Sequence, residues 1–119
     1  MAKKKRWQVS TYISTDEKRQ FRDYARSMGI DGSSLLVLLM LRAGRVGPSQ
    51  QQVEEAARRA TTGADKITAH FADEDVYAKV VSVLENVPGG LNPSRLCGVL
   101  IRLELEERWL AREVGIDSR

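Results

Sequence analysis

A short alternation of apolar and polar residues occurs twice in this chain, and each time a pair of helical patterns follows it. Val9, Thr11 and Ile13 alternate with Gln8, Ser10 and Tyr12; further on, Ile67, Ala69 and Phe71 alternate with Lys66, Thr68 and His70. Both stretches have the two-residue period of a half-buried strand. After the first, Ser14-Thr-Asp-Glu17 has capping-box spacing, so a helix starts at about Thr15. Phe21, Tyr24, Ala25 and Met28 form its apolar stripe, and Gly29 is placed to end it in a left-handed cap with Ile30 beyond. Asp31 can cap a second helix opening at Gly32-Ser33-Ser34. Its run Leu35 to Leu41 is apolar on every side, which predicts a central helix surrounded by protein, with Leu38 inside, ended by Gly44 and Gly47-Pro48.

The second copy follows the same order. Asp73-Glu74-Asp75 supplies an acidic first turn, explained by the helix dipole rather than by a metal or acid pair. Val76, Val80, Val83, Leu84 and Val87 make the stripe. Pro88-Gly89-Gly90 breaks the chain, and Asn92-Pro93 is an N-cap followed by proline at the first helical position. Leu96, Val99, Leu100 and Leu103 carry the last helix, expected to reach Trp109 or Leu110; whether that end packs on the core or meets a partner stays open. Between the copies, Ser49-Gln-Gln-Gln52 opens a polar connector with a short helix, Val53, Ala56, Ala57 and Ala60 on one face. Leu35, Leu38 and Leu39 answer Leu96, Val99 and Leu100, a repeat of pattern rather than of identity.

The chain's 119 residues allow one compact domain, and 42% apolar with 29% charged residues is a globular composition. No apolar run approaches the ~20 residues of a membrane span. Lys3-Lys4-Lys5-Arg6 imitates the start of a signal peptide, but Trp7-Gln-Val-Ser follows where an apolar core should be, which predicts a cytoplasmic chain. One cysteine and one histidine exclude a disulfide framework and a Cys/His zinc cage. Cys97 reads as a buried small hydrophobe. No Gly-rich phosphate loop and no nucleophile–base set is present, so no enzyme, catalytic residue, metal or cofactor is expected. Residues 1–45 hold ten Lys/Arg against four Asp/Glu, whereas residues 66–119 hold seven against nine. That asymmetry suggests a polyanion-facing surface weighted to the front half.

The Gln8–Ser14 strand, Ser14-Thr-Asp-Glu17, Ala25-Arg-Ser-Met-Gly29 and Asp31-Gly-Ser-Ser34 together resemble the ribbon-helix-helix family of DNA-binding proteins (the Arc, MetJ and CopG type). Two units in one chain look like its tandem, single-chain members among accessory proteins of conjugative-plasmid and T-DNA transfer. The resemblance implies a mainly α fold with a short two-stranded antiparallel β-ribbon, the two repeats forming one pseudo-twofold domain. The parts would be a basic tail (1–6), repeat 1 (7–44), a connector (45–64), repeat 2 (65–113) and a C-terminal tail (114–119). One strand-helix-helix unit is too small to bury a stable core, and the attached second unit supplies the missing half.

The family's ribbon enters the major groove and reads bases with its outward side chains. Here those are Gln8, Ser10 and Tyr12, and Lys66, Thr68 and His70, with Tyr12 alternatively lying across the ribbon against His70. Helix N-termini would meet phosphate at Gly32, Ser33 and Ser34 in the first copy and at Ser94 and Arg95 in the second. Lys3, Lys4, Lys5 and Arg6 would add sequence-independent affinity. The implied function is sequence-specific double-stranded DNA binding, as an accessory factor at a transfer origin beside a relaxase or as a transcriptional repressor, with copies able to line up on repeated sites. The alternative is a protein-interaction module such as an antitoxin neutralising a toxin.

Overall fold

The computed structural model describes residues 7–59 and 63–115. The chain runs β1 (Gln8–Ile13), α1 (Thr15–Ser27), α2 (Gly32–Val46), α3 (Gln50–Arg59), β2 (Asp65–His70), α4 (Glu74–Leu84), α5 (Pro93–Glu107) and α6 (Trp109–Glu113). It is mainly helical, with one two-stranded antiparallel sheet formed within the chain. Gln8 faces His70, Ser10 faces Thr68 and Tyr12 faces Lys66 across that sheet.

Local signals account for most boundaries. Ser14 Oγ accepts from the Glu17 N–H and Glu17 Oε1 accepts from the Ser14 N–H, so the capping box is complete. At the other end of α1, Gly29 has φ +79°, its N–H donates to Arg26 O and the Ile30 N–H donates to Ala25 O. Those two bonds are the Schellman arrangement, which satisfies carbonyls that the helix end leaves free. Asn92 caps α5 through the Arg95 N–H at 2.9 Å, with Pro93 opening the helix.

The inner face of the ribbon, Val9, Thr11, Ile13, Ile67 and Ala69, is buried. Its cover is exchanged between halves: α2 packs on β2 and α4, while α5 packs on β1 and α1. α2 and α5 also touch, and α3 lies on α5. Trp7, Phe71 and Tyr77 close one end of the ribbon, the Phe71 N–H donating to Trp7 O and the rings 5.2 and 5.7 Å from Tyr77.

Three expectations fail here. Gly44 lies inside α2 instead of ending it, because α2 and α4 cross there: a Cβ on Gly44 would stand 1.5 Å from Val83 Cγ1. Leu38 and Leu41 are not enclosed; they are 44% and 39% exposed, since no element covers that side of α2. α2 is central all the same, packed on β2, α4, α5 and α1, and α5 shares that role with Leu96, Cys97, Val99, Leu100, Ile101 and Leu103 all buried. Finally, α5 does not continue to Trp109. Arg108 adopts a left-handed conformation (φ 55°), and α6 turns back as a separate short helix.

Glu104 holds that turn. It is 1% exposed, and its Oε2 accepts from the Tyr24 hydroxyl at 2.5 Å and the Leu110 N–H at 2.8 Å; Tyr24 Oη accepts from the Ala111 N–H. Burial raises the Glu104 carboxyl above the usual range, opposed by these hydrogen bonds and by Arg42. Burial and the bond to Glu104 likewise raise the Tyr24 hydroxyl.

Burial of the α2 leucines and of Glu104 sets the cost of replacing each. Leu36→Ala should cost ~2–5 kcal/mol in urea denaturation, because Leu36 is fully buried. Leu38→Ala should cost about 1 kcal/mol or less, since nearly half of that side chain already meets water. The raised Glu104 carboxyl binds its proton more tightly folded than unfolded. Its stabilising contribution is therefore complete below the ordinary carboxylate pKa and lost as pH rises through the raised value. Stability measured across that window should fall with pH in the native chain and stay flat in Glu104→Gln. Glu104→Ala, which takes the acceptor from the Tyr24 hydroxyl and the Leu110 N–H, should cost about 2 kcal/mol or more at pH below that window.

Candidate nucleic-acid interface

Antiparallel pairing puts directly opposed residues on the same side of a sheet. Gln8, Ser10 and Tyr12 therefore share the outer face of the ribbon with His70, Thr68 and Lys66. Ser10 Oγ and Thr68 Oγ1 are hydrogen-bonded at 2.7 Å in the middle of that face. Tyr12 is 58% exposed and lies opposite Lys66, not His70; the register separates Tyr12 from His70 by the length of the ribbon. All six expected base-reading residues are thus on one surface. Lys66 and His70, like Tyr12, are exposed, while Gln8, Ser10 and Thr68 are half-buried.

The two helix N-termini stand at opposite ends of this face. Ser33 and Ser34 of α2 share a groove with His70, and Ser94 and Arg95 of α5 share a cleft with Tyr12. They are not equivalent. Asp31 caps α2 by accepting from the Ser34 N–H at 2.7 Å, and that bond holds its carboxyl below the usual range, with His70 adding to the effect. An exposed anion therefore occupies the α2 terminus. The α5 terminus is capped by neutral Asn92 and carries the exposed guanidinium of Arg95. The Ser94 hydroxyl donates to Ser10 O at 2.5 Å, fastening α5 to the ribbon edge. Gly98, one turn on, lets the helix approach, since a Cβ there would stand 3.0 Å from Thr11 Oγ1.

A further basic surface lies on α1. Lys18, Arg22 and Arg26 recur at four-residue intervals, Lys18 half-buried at the margin of the Phe21, Tyr24 and Ala25 stripe and Arg22 and Arg26 exposed beyond it, and none is in an ion pair among the described residues. Arg22 and Arg26 share a cleft with Gly32 and Ser34, and a Cβ on Gly32 would lie 3.6 Å from Arg22 Cγ. The positive charge that Asp31 cancels is thereby restored beside it. The sequence carried the signal as an i, i+4, i+8 spacing that starts beside the apolar stripe and turns away from it. Lys3, Lys4, Lys5 and Arg6 lie outside the described residues.

Other charged side chains form pairs within the fold. Arg102 of α5 pairs with Glu17 at the start of α1, and Arg42 pairs with Glu113 at 2.6 Å over the Trp109 ring. Burial pushes the Cys97 thiol up to about 12. Among the described residues there is no group of three metal-ligating side chains and no single helix long and apolar enough to cross a membrane. The chain matches no protein-family model, no curated protein and no solved structure.

Ser94→Ala should remove the tie between α5 and the ribbon. The expected cost is about 1 kcal/mol, with faster amide exchange along β1 than in α2. Unchanged exchange in β1 would show that the bond does not hold the strand.

Proposed function

We propose that this chain binds double-stranded DNA sequence-specifically, as a tandem ribbon-helix-helix protein whose two halves act as one pseudo-dimer. The observation that carries the reading is the ribbon itself. It pairs within the chain and gathers Gln8, Ser10, Tyr12, Lys66, Thr68 and His70 on one outward face, with a helix N-terminus at each end. Six residues of strand extend roughly 20 Å. A two-stranded ribbon fits a major groove about 12 Å wide. The exchanged packing of α2 on β2 and of α5 on β1 supports the pseudo-twofold relation.

Each group has a role suited to its chemistry. Gln8 can donate and accept, as adenine requires; Lys66 can only donate, as guanine accepts; Ser10 and Thr68 hold each other and present one hydroxyl pair at the centre. Arg95 at one end, and Arg22 and Arg26 at the other, would meet the phosphates flanking the groove. The basic Lys3-Lys-Lys-Arg6 segment adjoins β1 in sequence and would add affinity for any duplex. In a cell these properties suit an accessory factor at a DNA-transfer origin, working beside a relaxase, or a repressor.

The reading is tested by titrating the chain with duplex DNA at several salt concentrations. Affinity should fall steeply with salt, and Arg22→Gln with Arg26→Gln should flatten the log–log slope by about 1 for each phosphate no longer neutralised. Lys66→Ala should instead cost ~1–3 kcal/mol on the preferred site and little on random duplex. No duplex binding at low salt would sink the proposal and leave a protein-interaction module, such as an antitoxin, in its place.

A further inference from the structure

α2 and α5 correspond residue for residue at a spacing of 61: Leu35 and Leu96, Leu36 and Cys97, Met40 and Ile101 are buried in both. One side of the two helices differs. On α5, Val99 is 2% exposed between β1 and α3: α3 packs on α5, its Ala57 lines the same cleft as Val99 and Arg102, and Arg59 pairs with both oxygens of Glu106 at 2.9 and 3.2 Å. On α2 the matching positions are Leu38, Leu41 and Arg45. The leucines are exposed, and Arg45 is exposed with no ion pair among the described residues. A lone exposed leucine is ordinary, but two on adjacent turns ending at an unpaired charge form a stripe.

The reversed charge indicates what fits there. α3 brings Arg59 to an acid, Glu106; the same kind of helix laid on α2 would bring Arg59 to Arg45. The α3 of a second copy is therefore repelled, and a helix ending in a carboxylate is attracted. We propose that the Leu38–Leu41–Arg45 stripe of α2 docks an amphipathic helix from a partner protein. That helix presents small apolar residues to the leucines, as Val53, Ala56 and Ala57 do on α3, and an Asp or Glu to Arg45. The inference rests on the correspondence of α2 with α5 and stands whether or not the ribbon binds DNA.

The test uses the full chain, isotope-labelled, and a helix-constrained peptide of residues 49–59 carrying Arg58→Glu and Arg59→Glu. The constraint is needed because an isolated helix of this length is marginal in water. Backbone resonances of Leu38, Leu41 and Arg45 should shift on adding the peptide. Leu38→Glu with Leu41→Glu should weaken binding at least about tenfold, with an unchanged melting transition as control. Arg45→Glu should weaken it about threefold and make the unmodified α3 peptide the better ligand. Shifts absent at about 1 mM peptide, or indifferent to both charge reversals, overturn the proposal. So does concentration-dependent self-association of the chain that Leu38→Glu abolishes, which would assign the stripe to a second copy.

Discussion

The apolar face of a two-stranded ribbon must be covered, and a strand-helix-helix unit of this size cannot do it alone. In this chain the cover is exchanged: α2 closes over β2 and α5 over β1. Every other feature depends on that exchange. Each half covers the other's strand, the strands pair within the chain, and the register that buries Val9, Ile13, Ile67 and Ala69 turns Gln8, Ser10 and Tyr12 outward beside His70, Thr68 and Lys66. The outward face follows from the inward one, because a shift by one residue would reverse both.

Local signals were readable from residue types alone. Both strands, the capping box at Ser14, the left-handed Gly29 and the Asn92-Pro93 start are decided within a few residues of chain. What could not be read required knowing neighbours. Gly44 has the appearance of a helix stop, yet its lack of a side chain serves Val83 of α4, thirty-nine positions on. Leu38 and Val99 look alike in the pattern and differ in fate, and the connector helix α3 packs on α5, which carries Val99. Glu104, a carboxylate in a mainly apolar run, becomes intelligible only when Tyr24 and the α6 N–H groups meet it. The register, too, is a tertiary fact, and it sets Tyr12 against Lys66.

The candidate interface was legible to the same degree. The alternating polar residues of the strands marked its centre, whereas Arg22 and Arg26 were masked in a helix whose stronger pattern is its apolar stripe. Their importance is electrostatic. Asp31 leaves the α2 terminus with an anion in front of it, and the α1 arginines stand beside that anion, while the α5 terminus is capped by neutral Asn92 and carries Arg95. The two ends of the ribbon thus present different charge arrangements, as the two strands present different hydrogen-bonding groups.

That inequality is the central claim, since a ribbon built from two unlike strands has a direction. A symmetric homodimer favours palindromic sites because operator symmetry mirrors protein symmetry. Selecting bound sequences from a pool of random duplex DNA measures the symmetry directly. A non-palindromic consensus, bound in one orientation by a single chain, is the expected result. A strictly palindromic consensus would contradict it, because it would require two chains paired through like repeats.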